Sequence, residues 1–194
     1  LVCQLRRIGV VDRTGRLVPD HPSFGHRISR DEDGVPRLLI TEEGVDRRGF
    51  EPDEEGVQIS LYLTQLDIRE LQKAKGAVRA AAETLMARLD LQPGDLQRMI
   101  LTGSFGSQLN IEAVVGLGMI PPVDLDVVEP SENGAGFGAA LFLDGEEFER
   151  GKRIAAMAEQ IDLDLDPDFS QRFIGALELP GMPGRLRGSG APDA

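Results

Sequence analysis

Two short apolar runs in this chain break into glycine-rich turns that open helices, and this repeated arrangement constrains the fold more than any other feature. The first is Arg98-Met-Ile-Leu-Thr-Gly-Ser-Phe-Gly106, followed by Gln108-Leu-Asn-Ile-Glu112 as a helix opening. The second is Leu125-Asp-Val-Val128, followed by Asn133-Gly-Ala-Gly-Phe-Gly138. A bare glycine turn lets backbone N–H groups approach whatever sits above it, and a following helix N-terminus favours a polar or anionic ligand there. Two such corners on one sheet predict a ligand crevice at the carboxyl ends of the strands.

The remaining elements are placed by periodicity. Leu1-Val-Cys-Gln-Leu-Arg-Arg-Ile8 has apolar residues at helical spacing without a cap in front, as if it were the back half of a helix cut from something longer. It should stop at Gly9, with a turn at Asp12-Arg-Thr-Gly15. Pro19 to Pro36, which holds His21 and His26, is expected to be a surface loop. No Cys, Ser or carboxylate constellation surrounds His26, so it carries no catalytic assignment. Arg37 to Thr41 and Val57 to Leu63 are expected strands, and the acidic stretch Glu42 to Gly56 between them is expected to be a solvated tip without metal-ligand spacing. Thr64 to Glu70 opens a long amphipathic helix, with Asp67 and Glu70 in capping-box spacing and an apolar stripe through Ile68, Leu71, Ala74, Val78, Ala81, Leu85 and Leu89. Its exposed basic residues include Lys73, Lys75 and Arg79. Further on come a helix from Glu146 to Ile161, an edge strand with outward Asp162 and Asp164, and a helix capped by Asp166 with Pro167 at its first position. The small-residue helix after Asn133 contains Gly134, Gly136 and Gly138, whose lack of a side chain permits close approach by a ligand or a strand. This order predicts an α/β fold with a mixed sheet flanked by helices. Residues 1–179 would form one subdomain and 180–194 a Pro/Gly-rich tail.

Composition narrows the partners. A formal net charge of −12 argues against nucleic acid and against anionic membrane surfaces. One cysteine, Cys3, excludes an internal disulfide and a Cys-rich metal site within the chain and fits a reducing compartment, so the cytoplasm is expected. No apolar run approaches the roughly 20 residues of a membrane-spanning helix.

Four blocks, Leu63-Thr-Gln-Leu-Asp-Ile-Arg-Glu-Leu-Gln-Lys-Ala-Lys-Gly-Ala-Val-Arg79, Ile100-Leu-Thr-Gly-Ser-Phe-Gly106, Asn133-Gly-Ala-Gly-Phe-Gly138 and Asp166-Pro-Asp-Phe169 running to Leu179-Pro180, together resemble one family. It is the carboxy-terminal part of the reductive activators of corrinoid proteins, in the superfamily of acetate and sugar kinases, heat-shock chaperones and actin. The resemblance implies a ribonuclease-H-like half of an actin/hexokinase-type ATPase module in a larger protein. Such proteins carry a [2Fe-2S] cluster in an amino-terminal ferredoxin-like domain, absent here, and use ATP to return an inactive Co(II) corrinoid protein of a methyltransferase system to Co(I). The resemblance implies an adenosine-side turn at Gly103, Ser104, Phe105 and Gly106, the glycine helix at Asn133, Gly136 and Gly138, and an approach of Lys73 and Lys75 to an ATP or ADP nucleotide bound with Mg.

The chain departs from the family pattern at Ser104, where a second glycine is usual, and the phosphate loops belong to the preceding half of such a module. The expectation is therefore a chain that binds ATP or ADP weakly by itself and has no catalytic residue of its own. The alternative is a protein-interaction domain that docks a corrinoid protein or pairs with itself, with a degenerate nucleotide site. A carbohydrate or acyl kinase half fits the fold but not the block from Leu63 to Arg79.

Overall fold

The computed structural model describes residues 1–41, 60–103 and 109–181. The acidic stretch from Glu42, the first half of the expected Val57 strand, the turn residues Ser104 to Gln108 and most of the tail lie outside them.

The first half of the chain packs around a long helix. Helix α1 (Val2–Arg7) ends at Gly9, which takes a positive φ of 84°. The chain then folds back in the Asp12 turn, where Val11 bridges Leu17. Strands β1 (Ile28–Arg30), β2 (Pro36–Thr41) and β3 (Leu61–Thr64) form an antiparallel sheet in that order. The expected surface loop from Pro19 to Pro36 thus contains a strand. The Asp31 carboxylate accepts from the Asp33 and Val35 amides at 3.1 and 2.8 Å, and the turn so fixed pairs Ile28-Ser-Arg30 with Pro36-Arg-Leu38.

Helix α2 (Gln65–Arg88) begins in a capping box, but one set earlier than Asp67 with Glu70. Thr64 is the cap: its Oγ1 accepts from the Asp67 amide at 3.1 Å, and Asp67 Oδ2 accepts from the Thr64 amide at 2.8 Å. Hydrogen bonds from Thr64 hold the Asp67 carboxyl below its usual range. The Thr64→Ala variant should lose about 1 kcal/mol of stability in urea titrations followed by circular dichroism, because an orphan amide of the first turn loses its acceptor.

The buried side of α2 differs from the expected stripe. Ile68, Gln72, Lys75, Gly76, Ala80 and Thr84 are buried, whereas Val78, Leu85 and Leu89 are exposed. Helix α6 (Phe169–Ala176) lies along this side. A Cβ at Gly76 would stand 3.3 Å from Leu177 and 3.5 Å from Phe173, so glycine there lets the two helices approach closely. Polar α2 residues are buried because distant carbonyls meet them: Gln72 Nε2 donates to Leu177 O at 2.7 Å and Thr14 O at 3.1 Å, and Lys75 Nζ donates to Glu178 O. Ile68 joins Leu5, Val10, Val11, Leu17, Leu38 and Leu179 in one core.

The second half holds β4 (Met99–Leu101), α3 (Ile111–Gly116), β5 (Val128–Pro130), α4 (Gly134–Leu141) and α5 (Gly145–Met157). Strands β4 and β5 pair in parallel, Met99 with Val128 and Leu101 with Pro130. Met99 and Leu101 pack with Val114, Val115, Ile120 and Val128. The expected strand Leu125 to Val128 is shifted: Leu125–Val127 is a 3-10 turn, closed by the Val127 amide on Asp124 O, and the strand starts at Val128. The expected edge strand at Asp162 is also a 3-10 turn, Leu163–Leu165, because Asp162 Oδ1 takes the Asp164 amide. Asp166 does not cap α6 as its first-turn acceptor. Its Oδ1 takes the Asp168 amide at 3.1 Å and pairs with Arg172, and the helix begins at Phe169. Ile174 on α6 is exposed.

Candidate functional site

The C-terminal ends of two parallel strands and the N-terminus of a helix converge in the second half of the chain. β4 ends at Leu101 and leads to Thr102 and Gly103, and β5 ends at Pro130 and leads to Asn133, the cap of α4. Thr102, Gly103, Asn133 and Ala135 line an open cavity of about 500 Å³, a size within the range of small-molecule sites.

Each lining residue has a local reason for its position. Gly103 has φ 132°, a conformation that residues with a Cβ rarely adopt, and among the described residues no atom stands within 4 Å of where a Cβ would be. Thr102 Oγ1 accepts the Gly134 amide at 2.8 Å, tying the end of β4 to the first residue of α4. A Cβ on Gly134 would lie 2.7 Å from that oxygen, which accounts for glycine at this position. Asn133 sits in the left-handed region, φ 36° and ψ 54°, which asparagine tolerates better than most residues. Its Oδ1 accepts the Gly136 amide at 3.0 Å, and a Cβ on Gly136 would collide with that same side chain. Gly134 and Gly136 thus serve the turn and cap directly, whereas no described atom lies within 4 Å of where a Cβ on Gly138 would stand. With the Gly134 and Gly136 amides taken, Ala135 supplies the first-turn amide that no described protein atom caps. An acceptor atom of a ligand fits there, and the helix dipole favours it.

Of the residues singled out in the sequence, the structure brings Gly103 and Asn133 together at the cavity, with Gly136 one turn behind. Ser104, Phe105 and Gly106 lie outside the described residues. Lys73 and Lys75 do not line the cavity. Lys73 is exposed and pairs with Glu70 at 2.5 Å. Lys75 is fully buried in the seam between α2 and α6, and burial, reinforced by the Arg79 charge, lowers its pKa from 10.5 to about 8 against the opposing pull of Glu178. Sequence reasoning missed Thr102 and Ala135 as lining residues. A hydroxyl residue between a strand and a positive-φ glycine was the available signal for Thr102; Ala135 gives none, since it contributes through its backbone.

Among the described residues no group of three or more His, Cys, Asp or Glu could hold a metal ion. No described helix is long and apolar enough to cross a membrane.

The family model described as the C-terminal domain of RACo, the ASKHA domain, matches residues 1–186. A curated relative, the corrinoid activation enzyme RamQ of Eubacterium limosum, is 25% identical over 179 residues, covering 89% of this chain and 28% of that protein. A solved structure of a reductive activator for a corrinoid, iron-sulfur protein superposes with a TM-score of 0.74 at 26% identity, covering 93% of this chain and 27% of that one. The chain therefore spans little more than a quarter of the length of either relative, and its α/β fold is of the actin- and hexokinase-like type.

Proposed function

Because this chain belongs to the family of the C-terminal ASKHA domain of RACo, we propose that it is the nucleotide-binding subdomain of an iron-sulfur protein that uses ATP to drive reductive reactivation of a corrinoid protein. The observation that carries this reading is the convergence of β4, β5 and the α4 N-terminus on the cavity at Gly103 and Asn133. In this role Gly103, with Ser104, Phe105 and Gly106 after it, borders the adenosine end of ATP or ADP, and the Ala135 amide faces an acceptor atom of that ligand. Thr102 ties the two corners together by accepting the Gly134 amide, and Asn133 caps α4 by accepting the Gly136 amide. Lys73 and Lys75 are engaged elsewhere and are left out of the binding set.

In the full-length protein ATP would supply the free energy for moving one electron from a reduced [2Fe-2S] cluster onto the Co(II) of the corrinoid protein to give Co(I). The phosphates and their Mg would be held by residues outside this chain. A [2Fe-2S] cluster does not fit here, since such clusters need four cysteine-type ligands and this sequence has one cysteine. The chain alone is thus a binding element with no catalytic residue. The reading makes the partner a corrinoid protein in the cytoplasm, and the charge of −12 disfavours nucleic acid in that role.

Two measurements test it. Calorimetry of the 194-residue chain with ADP should show binding in the millimolar range or none; tight, Mg-dependent binding would overturn the assignment of the phosphate contacts to other residues. In the full-length protein, Gly103→Val places a β-branched residue at φ 132°. It should weaken nucleotide binding at least ~10-fold, about 1.4 kcal/mol, and slow ATP-dependent formation of Co(I), read from the corrinoid absorption spectrum. Unchanged binding and rate would remove this cavity as the nucleotide site.

A further inference from the structure

Helix α2 has two sides built from small and apolar residues, and α6 covers one of them. Gln72, Gly76, Ala80 and Thr84 are buried on the α6 side. With 3.6 residues per turn, Leu71, Ala74, Val78, Ala82 and Leu85 lie on the opposite side. Val78 and Leu85 are 53% and 48% exposed, Ala74 is exposed, and Leu71 and Ala82 are half-buried. Apart from α6 and β3, no described element packs extensively on α2.

The order of these side chains says what fits against them. In either direction from Val78 the stripe meets an alanine four residues away and a leucine three residues beyond it. Both the residues and their spacing are thus unchanged when the stripe is reversed. An occupant of unrelated sequence makes no such demand on the face, whereas a two-fold axis through Val78 does. Two antiparallel copies then set Val78 against Val78, Ala74 against Ala82 and Leu71 against Leu85, each contact made twice. Ala77 and Ala81 flank the stripe and keep it low, so the helix axes can approach to about 8 Å.

Charge selects the same orientation. Glu70 and Arg88 lie on one flank at the two ends of the stripe, and no exposed charged residue stands on the face between them. In the antiparallel pair, Glu70 of one copy is displaced by only about 3 Å along the axis from the level of Arg88 of the other. Arg88 uses Nη2 on Asp166 at 3.4 Å, and its Nη1 has no partner among the described residues. A parallel pair would instead put Glu70 against Glu70 and Arg88 against Arg88. The face is close to neutral in a chain of net charge −12, so repulsion between copies is small where they meet here.

We propose that the exposed side of α2 is a two-fold interface between copies of this chain, with antiparallel helices crossing at Val78. Leu71 to Leu85 spans about 22 Å of helix, at the small end of specific interfaces, so the dimer is weak and dissociates on dilution. The inference stands apart from the nucleotide reading, because it uses no residue of that cavity.

The test oxidises the full-length Val78→Cys protein with diamide and maps disulfide-linked peptides by mass spectrometry. A link between position 78 of two copies is expected. Ala74→Cys is the register control: its own counterpart lies about 12 Å away along the axis, beyond disulfide reach, so it should link only when mixed with Ala82→Cys. Cys3 is buried and stays out of the reaction. Absence of the link at 78, an equal yield of a 74-to-74 link, or linkage of position 78 to residues preceding Leu1 would overturn the proposal. Sedimentation velocity gives a check without thiol chemistry. The unsubstituted protein should form a dimer as concentration rises, and Val78→Glu should weaken it at least ~10-fold. A monomer at every concentration, or a dimer that Val78→Glu leaves unchanged, would refute it.

Discussion

Replacing Ile68 with alanine should lower the unfolding free energy by about 3 kcal/mol. Ile68 is fully buried, and its neighbours come from separate parts of the chain: Leu5 from α1, Val10, Val11 and Leu17 from the turn after it, Leu38 from β2, and Leu179 from the segment beyond α6. These elements are held by different local bonds, such as Gln65 Oε1 with the Leu17 amide and Arg6 Nε with Leu179 O. They cannot all move inward together to fill the space that a lost isoleucine leaves. The residual cavity therefore adds to the lost transfer energy, as in other cores that collapse poorly. Leu85→Ala on the same helix is the control. Leu85 is about half exposed, and its truncation should cost less than ~1 kcal/mol. Urea unfolding followed by far-ultraviolet circular dichroism checks both, and equal losses would mean that α2 buries the opposite side in solution.

That control separates what is legible in the sequence from what is not. The apolar stripe through Ile68, Ala74, Val78, Leu85 and Leu89 is a helical pattern, and it locates the helix. It misassigns the buried face because periodicity scores side chains by polarity, and α2 buries Gln72, Lys75 and Thr84. Those residues become core residues through partners 58 to 105 positions away in the chain, which no local window contains. Local features fare better. The opening of α2 at Thr64 is read in place, although its capping box pairs Thr64 with Asp67 and not Asp67 with Glu70, and it depends on residues only three positions apart. The same holds at the candidate site. Gly103 and Asn133 stand out in sequence because positive φ and capping are single-residue demands. The bond from the Gly134 amide to Thr102 that joins them spans 32 positions and emerges only once β4 and β5 pair. Helix α5 is the opposite case: its apolar residues are plain in sequence, yet Ile154 and Met157 are exposed among the described residues.

The buried Lys75 gives the protein a pH dependence of unusual direction. Most stabilising charges have folded-state pKa values shifted toward the charged form. Here desolvation, with the Arg79 charge adding to it, works against the ammonium and brings the pKa from 10.5 down to about 8. Below pH 8 the amine is protonated in both the folded and unfolded states, and the cost of burying the charge is present in full. Between about pH 8 and 10.5 the folded state sheds the proton while the unfolded state keeps it, so the unfolded state binds more protons and stability rises with pH. The shift bounds the total gain at roughly 3 kcal/mol, and the neutral amine can still donate to Glu178 O. Other groups titrate in the same range, so the informative quantity is a difference. Unfolding free energies of the unsubstituted protein and of Lys75→Met are to be compared from about pH 7 to about pH 10, across the window that this shift defines. The unsubstituted protein should gain about 1 kcal/mol or more on the variant as pH rises, within that bound. Parallel curves would mean that Lys75 reaches water in solution. At high pH the variant should be the less stable of the two, because methionine cannot supply the Glu178 carbonyl with a donor and a buried acceptor without a partner costs about 1 to 3 kcal/mol.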